Sequence, residues 1–190
     1  MASFNPKDAL HSTDGPSIYV GFWGHYNKGS LYGNWIDLEI ASTREEIEEC
    51  IQFLRDADKV SQDGECEEWM VQDHCCLPRC LQGENPDLAK VEEFMDVWHS
   101  IHESEQEPWM AYCENNPSTL PDEQEFRNAF KGCYASGADY VEELHEEEGL
   151  DHMGELANYI DWQRVWHDFD CSGYWTAAMD DGEVAVFAPV

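Results

Sequence analysis

From Ser17 to Gly24 the chain runs SIYVGFWG, with Ile18, Val20 and Phe22 alternating against Tyr19, Gly21 and Trp23. A period of two marks a strand with one buried face. Tyr26-Asn27-Lys28-Gly29 is a turn signal, and Leu31–Leu38 (LYGNWIDL) reads as a second strand. The two predict a hairpin with a longer loop. The period then becomes helical. Ser42 or Thr43 is placed to cap a helix through Ala57, with Glu45 or Glu46 in the capping-box position. Its apolar stripe is Ile47, Cys50, Ile51 and Leu54. A third short strand is expected at Glu68–Gln72.

Residues 74–86 are rich in Cys, Pro and Gly and read as a loop. A helix is expected over Asp87–His102, carrying Leu88, Val91, Phe94, Met95, Val97, Trp98 and Ile101, then a shorter one over Pro108–Cys113. Pro121 is expected at the first position of a helix reaching Lys131. Ser136 is expected to cap another through Glu148, and a third covers Leu156–Asp168. Tyr174–Ala178 and Glu183–Ala188, joined by Asp180-Asp181-Gly182, predict a terminal hairpin. These elements define an α+β chain of three small lobes. The expected boundaries are a loose leader over 1–16, an α+β lobe over 17–73, a small helical lobe over 74–120 and an α+β lobe over 121–190. Trp35 and Tyr26 are assigned to the first core, Trp98 to the second, and Tyr159 and Trp162 to the third.

Charge changes the picture most. Forty-one acidic residues face ten basic ones, for a net charge of −31 in 190 residues. A small domain ordinarily carries about 2 to 8. Disorder does not explain the excess, because 42% of residues are hydrophobic and 13% aromatic, and acidic disordered tails lack both. Acidic residues outnumber basic ones in the first, middle and last thirds alike, so the charge is a field along the molecule, not a tail. Self-repulsion favours an elongated arrangement and a basic partner. No segment approaches a membrane span, and the first fifteen residues hold neither an apolar run nor a basic cluster. A cytoplasmic location with the eight cysteines reduced is therefore expected.

Candidate chemistry is sparse. His74, Cys75, Cys76 and Cys80 are dense in soft ligands, with Cys66 upstream and His99 and His102 downstream. Zinc favours two short-spaced ligand pairs, and no C-x₂-C occurs. The plainer reading is a loop with incidental thiols, and no metal or cofactor is assigned. Carboxylates are too numerous for any pair to stand out as catalytic. No G-x-S-x-G, P-loop or G-x-G-x-x-G is present. Asp180-Asp181-Gly182 is a turn and not a calcium loop. No catalytic residue is assigned.

The carboxylates matter as a set. Glu45, Glu46, Glu48 and Glu49 fall on the outer face of one predicted helix. Glu92, Glu93, Asp96 and Glu103 fall on a second, and Glu142, Glu143, Glu146, Glu147 and Glu148 on a third. Surface helices ordinarily mix signs for i,i+4 support, and the expectation here is faces almost without Lys or Arg partners at i±4. Duplex DNA carries one charge per about 1.7 Å of axis. Two copies of this chain would carry the charge of roughly 31 base pairs, on the order of 105 Å of duplex.

Specific residues then match a known family. Tyr26–Asp37 (YNKGSLYGNWID) resembles the YNNGxLHGxWID signature of the ArdA antirestriction proteins, preceded by Ile18-Tyr19-Val20. Glu67-Glu68-Trp69 with Asp73 is similar to their EEWxIxD segment. Phe126, Ala129, Gly132, Tyr134, Ser136, Asp139, Tyr140, Glu142, Glu143 and Leu144 resemble their acidic antirestriction motif, and Asn158–Trp162 resembles NYIDW. The chain departs from the family at Asp73–Pro78, where HDYEGF is usual, and in carrying the leader 1–16.

The resemblance implies an elongated, three-lobed, non-enzymatic homodimer that mimics duplex DNA. It would occupy the DNA groove of type I restriction–modification enzymes, against their specificity and methyltransferase subunits. No nucleic acid or membrane is expected as a partner. Dimerisation through the third lobe is implied, with Phe126, Phe130, Tyr134, Tyr140 and Leu144 as candidates. Two other classes stay open: an acidic module for another basic DNA-binding protein, and a metal-binding protein using the His/Cys segment 74–80.

Overall fold

The computed structural model describes residues 4–59, 67–147 and 158–190. They form two compact units: Met1–Gln106 with Cys113–Leu120, and Glu107–Tyr112 with Pro121–Val190. The sequence pattern predicts three lobes; here the segments expected as the first two pack together, apart from Glu107–Tyr112.

The first unit opens with α1 (Pro6–Ala9). The expected loose leader is in fact packed. Ala9 is fully buried, Cys50 Sγ lies 3.8 Å from the Pro6 carbonyl, and Asn34 Nδ2 donates to the Leu10 carbonyl. His11 Nε2 sits 3.2 Å from the buried Asp37 carboxylate. These contacts lie far along the chain, so local composition does not report them.

The first hairpin forms as expected. Strand β1 (Ser17–Phe22) pairs antiparallel with β2 (Gly33–Asp37), and their connection carries the short helix α2 (Trp23–Asn27). Strand β3 (Trp69–Cys75) pairs with the other edge of β1, giving the order β2-β1-β3. Alternation works as predicted: Ile18, Val20 and Phe22 are buried, as are Ile47, Cys50, Ile51 and Leu54 of α3 (Arg44–Lys59). Tyr19 and Trp35 face each other across the hairpin, edge to face at 5.6 Å. Tyr26, assigned to this core, is 52% exposed, because it follows the turn of α2 out to solvent.

Helix α4 (Leu88–Ser100) is capped by Asp87, whose side chain accepts from the Ala89 N–H at 3.1 Å. It packs against α3. Trp98, buried as expected, donates from Nε1 to Glu39 at 3.2 Å. Helix α5 (Glu103–Glu114) begins five residues before the predicted start and contains Pro108 in its interior.

In the second unit, Asp122 caps α6 (Glu123–Ala129) through a capping box with Glu125, so the helix starts two residues beyond Pro121, its expected first position. The predicted continuation to Lys131 is instead strand β4 (Phe130–Tyr134). A bulge at Phe130/Gly132, with Gly132 at φ 121°, erases the alternation that would have announced it. Helix α7 (Gly137–Glu147) follows Ser136, whose Oγ accepts the Asp139 N–H at 3.3 Å. Asp161 caps α8 (Trp162–Cys171), later than the expected helix at 156; residues 156 and 157 lie outside the described residues. Strands β5 (Trp175–Ala178) and β6 (Val184–Phe187) form the predicted hairpin, and the sheet order is β4-β6-β5.

Among the described residues, two side-chain clusters hold this unit. One is aromatic: Phe126 meets Trp109 and Phe130, both at 5.3 Å, and Phe187 stacks on Trp175 at 4.1 Å. The other joins Tyr140, Val141 and Val186 to Leu144, Trp166 and Phe169. Gly137 lets α7 and α8 approach: a Cβ there would lie 2.3 Å from the Trp166 ring.

Candidate functional site

The acidic helix faces are where the fold exposes its charge. On α3 the apolar stripe is buried, which turns Glu45, Glu48 and Glu49 outward. Together with Gln52, Arg55 and Trp69 they line an open depression of about 540 Å³. Glu46 is half-buried and turned back to the helix start. Its carboxylate accepts the Ser42 and Thr43 N–H groups, each at 3.1 Å. On α4 burial of Val91, Phe94, Met95 and Trp98 leaves Glu93 and Asp96 exposed and Glu92 half-buried. Glu92 accepts the Arg44 N–H at 3.2 Å. On α7 burial of Ala138, Tyr140 and Val141 leaves Glu143 and Glu146 exposed and Glu142 half-buried. Glu147 closes the helix, and Glu148 lies outside the described residues. Glu103 starts α5 and is exposed.

Sign mixing, which the sequence suggests is nearly missing, does occur. Arg44 pairs with Glu48 at 2.7 Å, Lys90 with Glu93, and Arg127 with Glu123 at 2.7 Å. Each pair joins neighbours one helical turn apart, and such exposed pairs neutralise charge while contributing little to stability. Glu45, Glu49, Asp96, Glu142, Glu143 and Glu146 have no cationic side chain at ion-pair distance among the described residues.

The candidate interface residues divide by burial. Phe126 and Tyr140 are interior, 1% and 6% exposed, so neither presents a surface to another molecule. Their aromatic character belongs to the cores of their own unit. Phe130, Tyr134 and Leu144 are half-buried. Sequence reasoning missed the apolar side of α8. Trp162, Val165, Trp166 and Phe169 recur at helical spacing, yet every one of them is only half-buried. Trp162 packs at the cluster edge, whereas Tyr159, assigned to the same core, is 84% exposed just before the cap.

Among the described residues, no group of three or more His, Cys, Asp or Glu is arranged to hold a metal ion. His74 and Cys75 lie in β3, not in a loop. The acidic field and burial act together on the thiols. Burial pushes Cys50 up to about 12, with Glu46 and Glu49 adding to it, and pushes Cys113 up as well. Cys133 is raised by burial and then by Glu183, Asp181 and Glu107. No helix among the described residues is long and apolar enough to cross a membrane.

The fold and its surface define an α+β protein whose helices turn carboxylates to solvent. Residues 18–183 match the model of a family described as antirestriction protein (ArdA). The chain belongs to the ArdA antirestriction protein family. Antirestriction function, with a restriction–modification enzyme as partner, follows from that membership. A comparison with curated proteins finds no match.

Proposed function

We propose that the chain inhibits type I restriction–modification enzymes as a DNA mimic, without catalysing a reaction. Carboxylates on the outer faces of α3, α4 and α7 stand in for phosphates, opposite basic residues of the specificity and methyltransferase subunits in the cytoplasm. The observation that carries this reading is the set Glu45, Glu49, Asp96, Glu142, Glu143 and Glu146, which no side-chain cation among the described residues neutralises at ion-pair distance. Carboxylates left uncompensated along several helices build a far-reaching field, and a groove evolved for a polyanion is complementary to it.

Homodimerisation extends the mimic. An interface must be apolar to withstand like-charge repulsion. The half-buried residues Phe130, Tyr134 and Leu144, with the apolar side of α8, supply that chemistry in the second unit. Competition against a labelled duplex for a purified type I methyltransferase tests the proposal. The protein should displace the duplex, with an affinity that falls steeply as salt rises. Duplex that stays bound at saturating protein overturns it.

A further inference from the structure

We propose that Cys75 and Cys76 form a dithiol site for a trivalent arsenical, bridged between the two sulfurs. This inference is independent of the antirestriction reading.

Adjacent residues of a strand point to opposite faces. Cys75 ends β3, and Cys76 escapes that rule by adopting φ 51°, the one positive φ at a non-glycine among the described residues. The left-handed turn swings the second thiol back beside the first. Their Sγ atoms lie 3.5 Å apart, and both approach the Asp14 carbonyl, at 4.0 Å from Cys75 and 3.2 Å from Cys76. Cys76 is exposed and Cys75 half-buried, so a small reagent reaches both.

Geometry decides between bridging and oxidation. A disulfide needs the sulfurs at about 2.05 Å and Cα atoms usually about 4.4–6.8 Å apart. Neighbouring residues hold their Cα atoms at about 3.8 Å, below that window. An inserted atom relieves the mismatch. Placed about 2.3 Å from each sulfur, as zinc sits from thiolate, it would subtend about 100° across the 3.5 Å gap. That is the angle of a pyramidal three-coordinate centre and not of a linear two-coordinate ion. Zinc wants four ligands, and no third ligating side chain joins the pair among the described residues.

The electrostatics select the same reagent. Burial, then the Cys75 thiol, then Asp14 and Glu39 push Cys76 up to about 11, so the Cys76 thiol stays protonated at neutral pH. Attack as thiolate is suppressed, and anionic disulfides are repelled. A neutral trivalent arsenical escapes both obstacles. Each thiol forms a sulfur–arsenic bond, one arsenic hydroxyl leaves with each thiol proton, and two waters depart. Arsenic stays trivalent, so no oxidant or reductant is required.

The test uses the full reduced chain and phenylarsonous acid, read by intact mass and by the number of thiols still open to maleimide. One arsenical should add, two thiols should disappear, and a dithiol competitor should strip the adduct while a monothiol at equal concentration does not. Cys75→Ser and Cys76→Ser should each lower retention at least tenfold, with circular dichroism unchanged. Cys80→Ser and Cys171→Ser should have no effect. Retention that survives Cys75→Ser or Cys76→Ser, or that is lost in Cys80→Ser, overturns the proposal. So does a disulfide between Cys75 and Cys76 under air in place of the arsenical adduct.

Discussion

The Glu46 carboxylate accepts the Thr43 N–H at 3.1 Å while Thr43 Oγ1 accepts the Glu46 N–H at 3.2 Å. This reciprocal pair is a capping box closing the start of α3. Glu46 therefore anchors the helix whose outer face carries Glu45, Glu48 and Glu49, and its own charge is partly spent on backbone donors. Glu46→Ala should lower thermal stability by about 1 kcal/mol, whereas Glu46→Gln should retain most of it. Equal losses for Ala and Gln in a melting experiment would show that the reciprocal bond does not operate.

Inhibition by a summed field should survive single substitutions. Glu143→Gln should change affinity for the restriction enzyme by no more than about 1 kcal/mol. Glu45, Glu48, Glu49, Glu142, Glu143 and Glu146 all converted to Gln should weaken binding and flatten its dependence on salt. One carboxylate found indispensable, with the fold intact, would falsify mimicry and point to a discrete active site.

Tyr140 and Leu144 lie one helical turn apart on α7 but should respond differently. Leu144→Lys places a charge at a half-buried position and should abolish the proposed homodimer, leaving monomers in sedimentation while helical content holds. Tyr140→Lys places it inside the cluster with Val141 and Val186, and should unfold the second unit. A folded Tyr140→Lys protein would contradict its burial.

Close approach of α7 and α8 depends on one missing methyl group. Gly137→Ala should cost about 1–3 kcal/mol, since the new Cβ must displace the Trp166 ring. Near-ultraviolet dichroism should report the displaced indole. An unchanged melting temperature and spectrum would mean that the ring has room to spare.

Cys50 sets an alkaline limit. Its folded pKa, about 12, lies above the ordinary 9.0, so the native state holds the thiol proton more tightly than the unfolded chain does. The associated stability is complete below pH 9.0 and is lost as pH rises towards about 12. Cys50→Ala should flatten that decline in urea titrations between pH 9 and pH 12. It should also lower stability near neutrality by roughly 1 kcal/mol through the small cavity it leaves. An equally steep alkaline limb would assign the decline to other groups.

Local pattern determined much of this protein. Alternation in Ser17–Phe22, the stripe Ile47–Cys50–Ile51–Leu54 and the capping residues of α3 act within one or two turns of chain, so they are legible without a fold. Net charge and the family motifs are likewise properties of the residues themselves. Tertiary structure decided what covers each face. Phe126 and Tyr140 look like surface anchors beside acidic residues, yet Trp109 and Phe187 cover the first and Phe169 and Tyr174 the second, all of them distant in sequence. Strand β4 exists because β6 pairs with it, and its bulge hides the period of two. Residues 4–11 became structure through Cys50, Asn34 and Asp37, none of them neighbours in sequence. The Cys75–Cys76 contact, between adjacent residues, still needed the backbone to turn left-handed at Cys76, where both thiols meet the carbonyl of Asp14 from far earlier in the chain.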